Sequence, residues 1–105
     1  MRTTERRENG TMRTWTPKTM AEENAIISLA HWIADLNYMK ERYPDEIGEI
    51  EQTKRNIEFS LYECDKAGVP WYMQNSIICM YEDYRTIYKQ DIMTSIKQIN
   101  ARYTR

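Results

Sequence analysis

Residues that build reaction centres are scarce in this sequence. Among 105 residues there is one histidine, His31, with two cysteines, three glycines and three prolines. One imidazole excludes every metal site that needs two and leaves acid–base catalysis a single candidate. Cys64 and Cys79 are too few for a disulfide scaffold and do not form the C-x-x-C pair of zinc or redox sites. Gly10, Gly48 and Gly68 stand apart, so no glycine-rich loop is available to cradle a phosphate. No Glu-x-x-His pair suggests di-iron chemistry, and the neighbouring acids Glu22-Glu23, Asp45-Glu46 and Glu82-Asp83 point about 100° apart on a helix rather than converging. Ser28, His31 and Asp35 share one helical face and mimic a triad. A helix interior has its amides already bonded, however, and offers no oxyanion hole. The expectation is a chain that is not an enzyme, with no cofactor and no metal.

Long hydrophobic runs are also missing. The longest stretches without charge, Asn24 to Ala34 and Ala67 to Tyr81, fall short of the roughly 20 apolar residues that cross a bilayer. The opening Met1-Arg-Thr-Thr-Glu-Arg-Arg lacks the apolar segment a secretory signal places behind its basic residues. A cytoplasmic protein without membrane contact is expected. At 105 residues there is room for one core but not for a doubly wound nucleotide-binding fold or an α/β barrel.

What remains is helical patterning. Residues 1–15 hold Arg2, Arg6, Arg7 and Arg13 with no apolar periodicity, which predicts a flexible N-terminal arm ahead of a single helical domain over 16–105. The triplet Met-Arg-Thr occurs at Met1 and again at Met12, so translation starting at the second is conceivable. A first helix is predicted from Thr16 or Thr19, where Thr19 and Glu22 read as a capping box. Its apolar seam is Ile26, Leu29, Ile33 and Leu36, and Pro44 ends it. A second helix carries Ile47, Ile50, Ile57, Leu61 and Cys64, with Lys54 in the remaining inward slot, and closes at Gly68 before Pro70. A third is predicted from Trp71 to Tyr103, inward at Ile77, Tyr81 or Met80, Tyr84, Tyr88 or Ile87, Ile92, Ile96 and Ile99, long enough to overhang its neighbours. The fold class expected is all-α: a three-helix antiparallel bundle with a long C-terminal helix. Cys64 reads as a core residue and Cys79 as facing elsewhere, which makes a bridge between them unexpected.

The near-zero total charge, −1, conceals a polar distribution. Residues 1–18 carry +3, residues 19–65 carry −7 and residues 66–105 carry +3. Glu51, Glu58 and Asp65 recur at seven-residue intervals along one edge of the second helix, the position from which paired helices read each other's charge. Eight tyrosines and three tryptophans exceed what one small core usually holds, and such residues anchor interfaces. The expected partner-binding residues are Glu51, Glu58, Asp65, Trp71, Tyr72, Tyr81, Tyr84 and Tyr88. The functional expectation is a protein that docks on and modulates another protein, with a nucleic-acid-binding host enzyme as the target. Size and charge liken it to phage and mobile-element products that inhibit host defence, including CRISPR inhibitors. Two other readings remain. One is a structural homodimer formed through the overhanging third helix. The other is a nucleic-acid-binding accessory protein using Arg6, Arg7, Arg13, Arg85, Lys89, Lys97 and Arg102.

Overall fold

The computed structural model describes residues 14–81 and 89–103, and among these all regular structure is helical. Four helices follow in order: α1 Met20–Arg42, α2 Ile47–Lys66, α3 Trp71–Tyr81 and α4 Lys89–Tyr103.

Local chemistry sets the helix boundaries. Thr19 caps α1 in an extended conformation, its hydroxyl accepting the Glu22 N–H at 3.2 Å. The Glu22 carboxylate reaches back one residue beyond the usual box and accepts the Lys18 N–H at 2.6 Å. Pro17 therefore lies ahead of the cap, outside the first turn. Helix α1 stops at Tyr43, whose N–H bonds to the Met39 carbonyl at 2.7 Å, and Pro44 blocks continuation. Pro44 and Asp45 form the turn itself, so α2 begins at Ile47, one turn later than a first-turn proline would place it. At the far end Gly68 takes φ 82, its N–H meets the Asp65 carbonyl, and the Val69 N–H meets the Cys64 carbonyl at 2.9 Å. This is a Schellman closure, and Val69 buries its side chain against the core as that motif favours.

Helix α1 is the central element, packing against α2, α3 and α4, while α4 also packs against α3. Its buried stripe of Ala25, Ile26, Leu29, Ala30 and Ile33 meets Cys64, Val69, Met73, Ile77, Tyr81, Ile92, Ile96 and Ile99. Helix α2 packs chiefly on α1 and forms an outer layer.

The long third helix does not exist. The Tyr72 hydroxyl donates to Asn100 Oδ1 at 2.9 Å, and the Tyr81 and Ser95 hydroxyls lie 2.8 Å apart. In one continuous helix those pairs would be separated by about 42 Å and about 21 Å. The chain therefore reverses between Tyr81 and Lys89, and α4 runs back along α3. Ile92, Ile96 and Ile99 are fully buried by this reversal, which removes the overhang on which pairing of two copies was expected to rest. The bundle has four helices where periodicity predicts three, because no glycine or proline between Tyr81 and Lys89 signals a break.

Two inward assignments on α2 also change. Lys54 is exposed and pairs with Glu51 at 3.3 Å, while Thr53 takes the buried slot and donates its hydroxyl to the Glu49 carbonyl at 3.0 Å. Ile47, expected on the seam, is 69% exposed. Lysine would have to bend its stem outward from an inward slot, and filling that slot with Thr53, one residue or about 100° away, avoids this.

The stretch expected to form the arm ends in a fixed contact. Residues 1–13 lie outside the described residues, but Trp15 packs against the core. Its N–H donates to Tyr72 Oη at 3.0 Å and to Asn100 Oδ1 at 3.2 Å, while Asn100 Nδ2 donates to the Trp15 carbonyl at 2.7 Å. One amide side chain thus reads both polar groups of one residue's backbone.

Candidate functional site

The outer face of α2 follows from its sequence. With the buried side set by Ile50, Thr53, Ser60 and Cys64, the 100° step per residue sends Glu51, Glu58, Phe59, Tyr62 and Asp65 away from α1. All five are exposed, Phe59 by 63% and Tyr62 by 59%. The two rings lie 6.4 Å apart, tilted by 34°, and Lys66 Nζ sits 5.9 Å from the centre of Tyr62. An exposed aromatic pair on a charged helix is the residue type from which interface anchors are made.

The acidic row is present but differently engaged at each member. Glu51 is drawn into the ion pair with Lys54, and Arg55 donates to Gln52 rather than joining it. Asp65 accepts from the side-chain amide of buried Gln74 at 2.8 Å, which also donates to the Val69 carbonyl. Glu58 has no such internal partner among the described residues, and it stands beside Phe59.

The remaining expected contacts separate by burial. Trp71 is 70% exposed at the first position of α3. Tyr72 is half-buried and spends its hydroxyl on Asn100 and Trp15. Tyr81, expected both to face inward and to contact a partner, is wholly buried with Ser95 against its hydroxyl; the inward placement holds, and the partner contact is corrected because the residue presents no surface. Tyr84 and Tyr88 lie outside the described residues, as do Arg6, Arg7, Arg13 and Arg85, and the side chain of Lys89. Lys97 and Arg102 are exposed on α4 but, five residues apart, point about 140° from each other and do not form one basic stripe.

Phe59, Tyr62, Trp32 and Glu63 were missed as candidates. The available signal was register: Phe59 and Tyr62 fall between the seam positions Ile57, Leu61 and Cys64, which places two large rings off the apolar stripe. Trp32 lies beside the α1 seam and meets His31 edge-on at 4.9 Å. Together Trp32 and Phe59 border a groove of about 390 Å³ between α1 and α2, whose other walls include Ser28, Ser60 and Glu63.

Both cysteines are free thiols. Cys64 is buried and donates to the Ala25 carbonyl at 3.4 Å. Burial, reinforced by the charges of Asp65 and Glu63, pushes its pKa up to about 12, the opposite of what a reactive thiol needs. Among the described residues no cluster of three or more histidines, cysteines or carboxylates is placed to hold a metal ion, and no helix is long and apolar enough to cross a membrane. Comparison with known proteins finds no family model, curated protein or solved structure that matches this chain.

Proposed function

We propose that this chain is a small non-catalytic helical protein that binds and modulates a protein partner through the outer face of α2. The setting is that of a phage or mobile-element inhibitor acting on a host enzyme that handles nucleic acid. The observation that carries the reading is the exposure of Phe59 and Tyr62 beside Glu58 on the one helix that packs chiefly on a single neighbour. Isolated apolar residues on a surface are ordinary, but two adjacent rings on an acidic face supply both parts of a recognition surface: anchors that bury area and charges that steer approach. The −7 carried by residues 19–65 favours a basic partner, and a basic channel that accepts nucleic acid has the matching sign.

The test is affinity capture from a bacterial lysate with wild-type protein, with an E51K/E58K/D65K variant, and with a Phe59→Ala/Tyr62→Ala variant. Circular dichroism checks that each is folded. The expected result is a protein retained by the wild type, released at high salt and lost with both variants. Capture of the same proteins by all three, or of none by the wild type, overturns the proposal.

A further inference from the structure

Five polar residues are buried: Thr53, Ser60, Gln74, Ser95 and Asn100. Four of them have clear hydrogen-bond partners in Glu49, Asp65 with Val69, Tyr81, and Trp15 with Tyr72 respectively. Ser60, 3% exposed, has none among the described residues. A buried hydroxyl left unbonded costs about 1–3 kcal/mol, so native chains rarely keep one without a use.

Ser60 lines the groove between α1 and α2, and the other features of that groove point the same way. Glu63 is half-buried there and forms no ion pair among the described residues. Trp32 and Phe59 contribute aromatic rings, and Ala21, Ala25 and Ser28 are small enough to leave the space between them open. An uncompensated carboxylate, a spare hydroxyl acceptor and aromatic faces are together complementary to a flat cation with several N–H donors.

We infer that this groove receives an arginine side chain projecting from a basic segment of the partner. The guanidinium lies against the aromatic rings, donates to the Glu63 carboxylate and satisfies the Ser60 hydroxyl. Arginine is preferred to lysine because its planar group stacks on rings and offers five donors in a fixed fork, whereas an ammonium holds its water more tightly. The inference rests on the proposed binding of a basic protein and deepens it by naming what that protein inserts. The site is separate from the acidic row: Glu63 and Glu58 are five residues apart and point about 140° from each other on α2.

The experiment is a nuclear magnetic resonance titration of the full chain with three capped peptides, acetyl-Gly-Xaa-Gly-amide, in which Xaa is arginine, lysine or citrulline. With arginine, shifts are expected at the Trp32 indole and at Phe59, Ser60 and Glu63. The citrulline peptide, which keeps the shape and loses the charge, is expected to leave these signals unmoved, and lysine to bind more weakly. Glu63→Gln, a partly exposed change that keeps the side-chain shape, is expected to weaken arginine binding about five-fold or more. Trp32→Phe provides a second variant that keeps a ring. The E51K/E58K/D65K variant is expected to bind the arginine peptide as the wild type does. Shifts confined to the Glu51, Glu58 and Asp65 edge overturn the inference, as do equal responses to arginine and citrulline or an unchanged affinity in Glu63→Gln. Partner capture that depends on the α2 face while arginine leaves the groove unmoved would sink this inference alone and leave the proposed function standing.

Discussion

Lys54 shows how much a single residue can be misread from periodicity. Its place in the apolar repeat implies that Lys54→Leu should stabilise the bundle. Its exposed position beside Glu51 implies instead that the change removes one weak surface pair and alters little. Urea unfolding of Lys54→Leu is expected to give a stability within about 0.5 kcal/mol of wild type, and a clear gain would return Lys54 to the interior. Cys64 is legible from both directions: the seam predicts a buried thiol, and the structure buries it against the Ala25 carbonyl. Folding holds its pKa above the ordinary 9.0, at about 12, so the stabilisation is whole below pH 9 and drains away as pH climbs from 9 toward 12, where the unfolded thiol ionises and the folded one does not. Unfolding midpoints should therefore fall more steeply above pH 9 in wild type than in Cys64→Ala, and a thiol reagent at pH 8 should modify exposed Cys79 while sparing Cys64 until the chain unfolds. Identical alkaline slopes in the two proteins would contradict this.

At the scale of elements, chain punctuation decided what was legible. Helices α1 and α2 have audible ends, Thr19 and Pro44 for one, Gly68 and Pro70 for the other, and the structure places its boundaries within a few residues of them. The reversal between α3 and α4 has no such mark, and an apolar repeat that continues at spacings of three and four through residues 82–88 reads as one helix whether or not the backbone turns. Tyr81 is expected both inward and as a partner contact, and only the first holds: its inward face is covered by the returning helix, with the Ser95 hydroxyl against its own. A distance measurement decides the topology. Cys79 and Arg102 border one surface cavity, so spin labels on native Cys79 and on an Arg102→Cys variant should lie within about 20 Å, against about 35 Å for an unbroken helix. The junction of Trp15, Tyr72 and Asn100 had no sequence signature, because an asparagine that reads a backbone requires nothing of its partner's side chain. Asn100→Ala is expected to cost about 1–3 kcal/mol by removing the donor to the Trp15 carbonyl and the acceptor of the Tyr72 hydroxyl, while the Trp15 N–H keeps Tyr72 Oη. A loss below about 0.5 kcal/mol in urea unfolding would mean that the contact holds nothing in place.

For the whole molecule, folding α4 back converts an extended rod with greasy ends into a body of about 52 × 22 × 22 Å whose α4 isoleucines are all interior. Sedimentation across a hundred-fold concentration range is expected to show a single species of about 12.7 kDa, the mass of one chain, and growth toward twice that mass would restore the self-associating alternative. What the whole reveals and the parts do not is that α2, with a partner on one side only, keeps its rings and acids available on the other. The acidic row could be read from its seven-residue spacing, but not the engagement of Glu51 with Lys54 or of Asp65 with Gln74, which depends on side-chain reach and on a neighbouring helix. The grip of Asn100 on Trp15 has one more consequence, and it concerns time. Eighty-five positions separate the two along the chain, so a ribosome releases the tryptophan long before the amide that will hold it exists. Among the hydrogen bonds of the described residues this one closes a span of 85 positions, wider than that of Trp15 with Tyr72 or Tyr72 with Asn100, and it belongs at the finish of folding, as the latch that sets once everything between its halves has already found its place.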